Sequence, residues 1–200
     1  MHDEALVILA TGFEEIESAA IIDTLRRAEV KVVAAGLGSG PLTGARGIKF
    51  LPDIVLDDYD RHPAAVILPG GSQGAENLAR SKKVSQMLLR TAESGRLIAA
   101  ICASPAVVLA PLGLLEGKTA TCYPGLEKDF PPGVGYSRQP VIRDENLITG
   151  QGPAAAREEA RGPRELVDLR VVGDVLLVQE IGDAEADGAR PRAAGDEGVE

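Results

Sequence analysis

The stretch Leu97-Ile98-Ala99-Ala100-Ile101-Cys102-Ala103-Ser104-Pro105 decides the fold of this chain. Its first five residues are apolar without alternation, which is typical of a strand buried on both faces of a parallel sheet. The run Ala106 to Ala110 follows and predicts the start of a buried helix. A strand that turns sharply into a helix at a nucleophilic residue is a nucleophile elbow, which lifts that side chain clear of the sheet.

Cys102 stands at this corner and is therefore a candidate nucleophile. Helix N-terminal N–H groups and the helix dipole favour a thiolate over a thiol, so we expect a sulfur that is reactive near neutral pH. The alternative is a buried cysteine at a strand end that behaves as a small hydrophobic residue. The stretch alone leaves both interpretations open.

Length and composition indicate one α/β domain. The 200 residues are 44% apolar, enough for a full core. The net charge is −9, and residues 183–200 supply −4 of it with six acids against two arginines. We find neither a basic patch typical of nucleic-acid binding nor an apolar run near the ~20 residues of a membrane span. The acidic start, Met1 to Glu4, is not typical of a signal peptide, and two cysteines predict free thiols in a reducing cytoplasm.

Hydrophobic patterning predicts a mostly parallel central sheet with helices on both faces. Buried strands are expected at 5–10, 30–35, 64–68 and 97–101, an amphipathic helix at 83–94, and antiparallel excursions at 47–51 and 141–149. The domain is expected to span residues 1–182. The composition after Gly182 predicts a disordered acidic tail over 183–200.

The first helix, which opens at Glu14, carries the second candidate. We expect its apolar face to contain Ile16, Ala19, Ala20, Ile22 and Leu25, with Glu14 and Glu15 as helix-capping charges that suit the dipole of the first turn. Glu17 lies close to the carboxyl end of the first strand, where open α/β sheets bind ligands. The alternative is a solvated helix acid.

The loop Pro69-Gly70-Gly71 directly follows a predicted central strand. Two adjacent glycines let the backbone approach a ligand and present its N–H groups, so we interpret the loop as an oxyanion donor facing the cysteine. A plain tight turn is the alternative. The Gly-Lys-Ser/Thr ending of a phosphate loop is absent, and the glycine-rich run 36–41 opens no helix, which argues against dinucleotide binding.

Several blocks of sequence together resemble one family. They are ALVILATGFEEIE at 5–17, Arg26-Arg27-Ala28 with Lys31-Val32-Val33, Leu68-Pro69-Gly70-Gly71 with Gly74-Ala75-Glu76-Asn77-Leu78, Ile98-Ala99-Ala100-Ile101-Cys102-Ala103, Thr121-Cys122-Tyr123-Pro124 and Thr149-Gly150-Gln151-Gly152-Pro153. Over about residues 4–156 the chain resembles the ThiJ/PfpI superfamily, in its DJ-one branch of protein deglycases.

The resemblance implies a flavodoxin-like three-layer sandwich, a homodimer and a cofactor-free activity on methylglyoxal-like dicarbonyls or glycated proteins and amino acids. Relatives are described as glyoxalase III enzymes, which convert methylglyoxal to lactate without glutathione. Carried over by position, Cys102 is the nucleophile, Glu17 its acid/base partner, and Gly71 and Ala103 supply N–H donors, with Gly70 in the same loop. We hypothesise that Glu17 is protonated at rest and hydrogen-bonded to the sulfur.

The chain departs from the family pattern at two places. Tyr123 stands where many relatives have histidine, and a phenol with a pKa near ~10 is a poor base, so we interpret it as a substrate-orienting hydroxyl or pocket wall. Neighbouring Cys122 is interpreted as a buried structural thiol, with a disulfide to Cys102 as the alternative. The segment 154–165 is polar and contains Pro163, where the family has an apolar helix.

Two further classes of function are open at this point. A redox sensor or redox-regulated chaperone would use oxidation of the same cysteine without turnover. A peptidase of the superfamily would need a base directly after the cysteine, where this chain has Ala103. With His2 and His62 as the only histidines, neither a Cys-His dyad nor a zinc site is expected.

Overall fold

A seven-stranded sheet with the order β10-β11-β7-β6-β1-β2-β5 forms the centre of the molecule, in a computed structural model that describes residues 4–152. Its strands are β1 (Glu4–Leu9), β2 (Lys31–Gly36), β5 (Ile54–Val55), β6 (Ala65–Leu68), β7 (Leu97–Ile101), β10 (Val141–Asp144) and β11 (Leu147–Gly150). Every neighbouring pair is parallel except β10 and β11. The predicted mostly parallel sheet is confirmed.

Two small sheets lie beside the main one. The antiparallel pair β3 (Leu42–Thr43) and β4 (Lys49–Phe50) is the predicted hairpin near residue 50. The pair β8 (Thr119–Ala120) and β9 (Gly135–Tyr136) is parallel. The domain end at residue 182, the tail 183–200 and the polar segment 154–165 lie outside the described residues.

Helices cover both faces of the main sheet, as predicted. They are α1 (Glu15–Arg27), α2 (Ser72–Arg80), α3 (Lys82–Glu93), a π-helix (Pro105–Leu109) and three 3₁₀ turns (Leu56–Asp58, Ala110–Leu112 and Glu127–Asp129). Alternate residues of β1 enter different cores. Val7 packs in the α1 layer with Leu25, while Leu6 packs in the opposite layer with Leu88 of α3. Both layers exclude water from the sheet. Burial of each large apolar side chain stabilises the fold by about 1.5–3 kcal/mol.

The predicted apolar face of α1 is partly wrong. Ile22 and Leu25 are buried as expected, but Ile16 is 61% exposed and Ala19 is also exposed. The buried face instead includes Glu15 and Glu17, and one oxygen of each carboxyl group accepts a backbone N–H from a neighbouring loop. Of the two acids expected as capping charges, Glu14 caps the helix, whereas Glu15 is buried and accepts a hydrogen bond from Arg46 N–H.

Helix boundaries differ from prediction around the glycine loop and the elbow. The run after Gly71, for which we predicted no element, forms helix α2. The helix after Cys102 is short, because a five-residue π-helix passes into a 3₁₀ turn that ends at Gly113, where φ is +74°. Helix α3 buries Val84 and Leu88 as predicted.

The carboxyl ends of four parallel strands meet at one edge of the sheet. Ile101 of β7 is paired with Gly150 of β11, and Ala100 is paired with Leu68 of β6. Strand β1 lies on the other side of β6. The loops that leave β1, β6, β7 and β11 therefore converge, and this edge is where open α/β sheets place ligands.

Candidate active site

Cys102 occupies a strained corner directly after β7. Its φ is +63°, a conformation that residues with a side chain rarely adopt. Two backbone hydrogen bonds hold the corner, because Cys102 N–H donates to the Gly150 carbonyl (2.9 Å) and its own carbonyl accepts from Tyr123 N–H (2.8 Å). The backbone turns sharply from strand to helix at Cys102, as predicted. Cys102 is partly exposed.

The glycine loop after β6 lies against this corner. A Cβ on Gly70 would overlap the Cβ of Cys102, and would lie 2.6 Å from Glu17 Oε2 and 3.0 Å from Cys102 Sγ. Only a residue without a side chain fits between the carboxyl group and the sulfur. Gly71 adopts a φ of +91°, and a Cβ there would collide with backbone atoms of Gly12 and Glu14. The loop therefore requires both glycines.

Glu17 reaches the loop from the first turn of α1. The helix begins after Glu14, whose Oε2 accepts a hydrogen bond from Glu17 N–H at 2.7 Å and so caps the helix. Glu17 is only 3% exposed, and its Oε2 accepts from Gly70 N–H at 2.7 Å. Its Oε1 has no nitrogen or oxygen partner within residues 4–152 and faces the Cys102 side chain across Gly152.

The surroundings of Glu17 favour its protonated form. Burial raises the pKa of Glu17 to about 7 from an ordinary 4.5; the Gly70 N–H opposes this rise, and the Glu14 carboxylate adds to it. If Oε1 carries the proton, its O–H group can donate a hydrogen bond to the Cys102 sulfur. The hypothesis of a Glu17 that keeps its proton is consistent with this raised pKa.

The thiol does not have the lowered pKa that we predicted. Burial, together with the negative charge of Glu17, raises the pKa of Cys102 to about 12, although the N–H groups of Gly71 and Ala103 point to the sulfur and oppose the rise. The short π-helix is too weak a dipole to reverse this balance. Because the repulsion vanishes when Glu17 is protonated, the two groups hold their protons as a coupled pair.

Tyr123 lies at the mouth of the site, with 51% of its surface exposed. Gly152, which we did not predict as a site residue, lies beneath it. A Cβ there would lie 3.5 Å from Glu17 Oε1 and 3.6 Å from both Cys102 Cβ and the Tyr123 ring. The structure therefore brings Glu17, Cys102 and the Tyr123 ring around one glycine. The signal in the sequence was a glycine two residues beyond the end of β11, in the run Gly150-Gln151-Gly152.

Ser104 is a second residue whose role sequence reasoning missed. Its buried hydroxyl donates a hydrogen bond to the Pro69 carbonyl at 2.6 Å. That bond joins the elbow to the start of the glycine loop. Cys122 is buried and free, and burial raises its pKa to about 12, as expected of a structural thiol.

Among residues 4–152 no group of three or more metal-type ligands occurs, and His62 lies near the opposite end of the strands, beside Pro63 and β6. Within the same range no helix is both long and apolar enough to cross a membrane.

The model of the DJ-1/PfpI family matches residues 3–162. The chain belongs to the DJ-1/PfpI family. It is similar to Protein DJ-1 homolog B of Arabidopsis thaliana (42% identity, 78% of this chain), although it spans only 36% of that protein's length. It is also similar to Protein dj-1beta of Drosophila melanogaster, with 41% identity over 80% of this chain and 87% of that protein.

Two further comparisons bear on fold and function within the DJ-1/PfpI family. The crystal structure of Drosophila melanogaster DJ-1beta has a TM-score of 0.77 and 37% identity, covering 93% of this chain and 98% of that chain. The Glutathione-independent glyoxalase DJR-1.2 of Caenorhabditis elegans is 33% identical, covering 78% of this chain and 84% of that protein. The flavodoxin-like sandwich predicted from the sequence is thereby confirmed.

Proposed function

We propose that this chain is a cofactor-free enzyme that acts on small α-oxoaldehydes of the methylglyoxal type, with Cys102 as the nucleophile and Glu17 as the acid/base. One observation carries the proposal: the Glu17 carboxyl group and the Cys102 sulfur lie on either side of Gly70, at the edge of the sheet where ligands bind. The glyoxalase name of the Caenorhabditis elegans relative supports the substrate class.

The first step is addition of the sulfur to the aldehyde carbon. The thiol must lose its proton as it attacks, and the new hemithioacetal oxygen must gain one. Glu17, with a pKa raised to about 7 by burial, has the right proton affinity to mediate this exchange. The N–H groups of Gly71 and Ala103, which point to the sulfur, would stabilise the developing oxyanion beside it.

The second step is an internal redox change of the substrate. The reaction starts from the fraction of chains whose Glu17 is a carboxylate, which a pKa of about 7 keeps populated at neutral pH, and the proton exchange of the first step restores that carboxylate. The carboxylate then removes the proton from C1 and returns it to C2 through an enediol, while the C1 hydroxyl proton passes to the C2 oxygen. C1 is thereby oxidised to a thioester on Cys102, and the C2 ketone is reduced to an alcohol. Water then cleaves the thioester, which releases lactate and restores the thiol. The sum is methylglyoxal plus water to lactate, so no external oxidant or reductant is needed.

Glycated proteins or amino acids are the second substrate class in this proposal. Early glycation adducts carry the same carbonyl chemistry, and the exposed Tyr123 at the mouth leaves the site open on that side. The Tyr123 hydroxyl is proposed to orient the substrate. It does not replace a histidine base, because a phenol keeps its proton at neutral pH.

A homodimer is part of the same proposal. Ile16 at the start of α1 is 61% exposed, and Ile48 and Leu51 beside the β3–β4 hairpin are 59% and 72% exposed. Two hydrogen bonds join the start of α1 to this hairpin, since Glu15 Oε1 accepts from Arg46 N–H and the Phe13 carbonyl accepts from Ala45 N–H at 2.8 Å. We propose that these three exposed side chains form one apolar patch, which would serve as the interface between two copies of the chain. The two free cysteines fit the reducing cytoplasm that we propose as the compartment.

The deciding experiment is incubation with methylglyoxal, followed by measurement of lactate. We expect lactate from the unmodified chain, none from Cys102→Ser, and little from Glu17→Gln. Cys122→Ser is the matched control, because Cys122 is a free cysteine outside the site. Full turnover by Cys102→Ser would refute the proposal.

A redox-regulated chaperone or sensor, the alternative function, predicts a different result. If the chain produced no lactate but suppressed aggregation of a client protein only after peroxide treatment, Cys102 would be a sensor rather than a nucleophile in turnover. Deglycation of a glycated peptide would distinguish the second substrate class. Lactate formation, suppression of aggregation and deglycation therefore each indicate a different candidate function.

A further inference from the structure

A cationic cavity lies at the edge of the sheet opposite the candidate active site. It encloses about 280 Å³ between α3 and the loops that precede β6 and β7. Arg96 directly precedes β7, whereas Cys102 directly follows it. Five strand residues separate the two edges, which corresponds to about 16 Å. The cavity is therefore distinct from the site around Cys102.

The charges on its wall are unbalanced. Four cationic side chains, Arg61, Lys83, Arg90 and Arg96, line the cavity, against one acid, Asp60. This concentration of positive charge is unexpected in a chain with a net charge of −9. Among the described residues, only Arg61 of the four cations is paired with a carboxylate. Like charges brought together in this way repel each other unless an anion lies between them.

Two of the guanidinium groups are held in place by the fold. Arg61 donates to the buried Glu4 carboxylate at 3.0 Å and lies over the Tyr59 ring. Arg96 donates to the carbonyls of His62 and Pro63 at 2.7 and 3.0 Å. Anchored guanidinium groups lose little entropy on binding, and their planar donors match phosphate oxygens.

The remaining two cations belong to α3. Lys83 reaches only the Asp57 carbonyl, at 3.4 Å, so its ammonium group is weakly engaged. Arg90 lies on the same helix, also lines the cavity, and is exposed. Both are therefore free to turn toward a ligand. Four cations from three segments suit an anion of more than one charge better than a monocarboxylate.

We propose that this cavity binds a small phosphate-class dianion or polyanion, such as pyrophosphate or a phosphate monoester. A phosphate group carries nearly two negative charges at pH 7 in a compact volume. A cavity of about 280 Å³ is at the small end of the size range of ligand sites, which suits a ligand of that size.

Calorimetric titration of the full chain with pyrophosphate and with glycerol 3-phosphate tests the proposal. We expect saturable binding of at least one, and the comparison shows whether the free polyanion or the ester is preferred. Binding should weaken as NaCl is added, because exposed cations are screened. Malonate, a dicarboxylate dianion, is the chemical control. Malonate binding as tight as that of both phosphate compounds would overturn the assignment.

Charge-matched variants locate the site. The double variant Lys83→Gln/Arg90→Gln removes two cations from the cavity, and Arg80→Gln/Lys82→Gln removes two from neighbouring surface outside it. We expect the first pair to weaken binding at least about tenfold and the second to leave it unchanged, since charge-assisted hydrogen bonds are lost only in the first. Circular dichroism verifies that both fold.

Amide NMR shifts during the pyrophosphate titration provide a readout that does not depend on enzyme activity. We expect the largest shifts at residues 59–63 and 83–96. No saturable binding, equal loss of affinity in both double variants, or shifts centred on Gly71 and Cys102 would each overturn the proposal. None of these outcomes depends on whether the chain produces lactate.

Discussion

The Ser104 hydroxyl donates a 2.6 Å hydrogen bond to the carbonyl oxygen of Pro69, which ties the elbow to the loop that faces it. Both ends of this bond are buried. It fixes the distance between the two loops independently of Glu17. The bond therefore makes Ser104 a positioning residue for the proposed reaction.

Ser104→Ala should loosen this connection. It leaves a buried carbonyl without its donor, so we expect a loss of about 1–3 kcal/mol in the free energy of unfolding. Lactate formation should fall mainly in kcat, because Gly71 and Cys102 shift relative to each other. Denaturant unfolding and steady-state kinetics measure both effects. Restored kcat in Ser104→Thr, which keeps a hydroxyl, would support positioning; wild-type kcat in Ser104→Ala would exclude it.

Gly70→Ala should abolish turnover and destabilise the fold. The added methyl group overlaps the Cys102 Cβ and lies 2.6 Å from Glu17 Oε2, so backbone and side chains must move. We expect a cost of about 1–3 kcal/mol, as for other overpacked sites. Gly135→Ala is the matched control, since its nearest contact is the Thr119 hydroxyl at 3.2 Å. Equal kinetics of the two variants would contradict the geometry.

The raised pKa of Glu17 predicts that stability decreases with pH. The folded chain holds the Glu17 proton up to about pH 7, whereas the unfolded chain releases it near 4.5. The stabilising proton is thus fully present below pH 4.5 and its contribution is lost as pH rises through 7, at a cost on the order of 3 kcal/mol.

Glu17→Gln should remove that dependence. We expect the variant to be more stable than the unmodified chain at pH 8 and to show a flatter pH profile in urea unfolding. Glu15→Gln, which alters another buried glutamate of the same helical turn, controls for loss of a carboxyl group as such. A Glu17→Gln chain with an unchanged pH profile would show that Glu17 is ionised in the fold.

The same substitution should make Cys102 more reactive. The Glu17 carboxylate raises the pKa of the thiol, so replacing it with a neutral amide lowers that pKa and increases the thiolate fraction. We expect faster alkylation by iodoacetamide at pH 8, measured by mass spectrometry on the Cys102 peptide. Buried Cys122 is an internal reference in the same sample. A slower rate would show that proton transfer to Glu17, which the proposed first step also uses, outweighs the effect of its charge on the thiol pKa.

A charge in the exposed apolar patch should prevent the proposed dimer. We expect Ile16→Asp and Leu51→Asp to elute as monomers in size-exclusion chromatography with light scattering. Leu89→Asp is the control, because Leu89 is an exposed leucine of α3, away from the patch. A monomeric unmodified chain, or equal effects of all three substitutions, would refute the dimer.

The sheet and the convergence of its loops were predictable because few physical rules govern them, whereas the pairing of Glu17 with Cys102 came from the family resemblance. Unbroken apolar runs indicate strands buried on both faces, and parallel strands gather their carboxyl ends at one edge. Those rules place the loops after β1, β6 and β7 together without any knowledge of side-chain geometry. They are the reason that Cys102 and the Gly70 loop could be paired from the sequence.

The apolar face of α1 and the thiol pKa could not be predicted in the same way. Periodicity favours burial of Ile16 over Glu17, but the Gly70 N–H, which binds the carboxyl group, comes from a loop far away in the chain. The sign of the Cys102 pKa shift depends on how deeply the sulfur is buried and on how close Glu17 lies. Neither quantity is encoded in spacing along the sequence.

The positive φ of Cys102 means that the residue proposed to react also opposes folding. Glycine adopts that backbone conformation freely, so Cys102→Gly would relieve about 1–3 kcal/mol of strain. Under the proposed function, the strain at this corner is a cost in stability that is tolerated because the reaction needs the sulfur there.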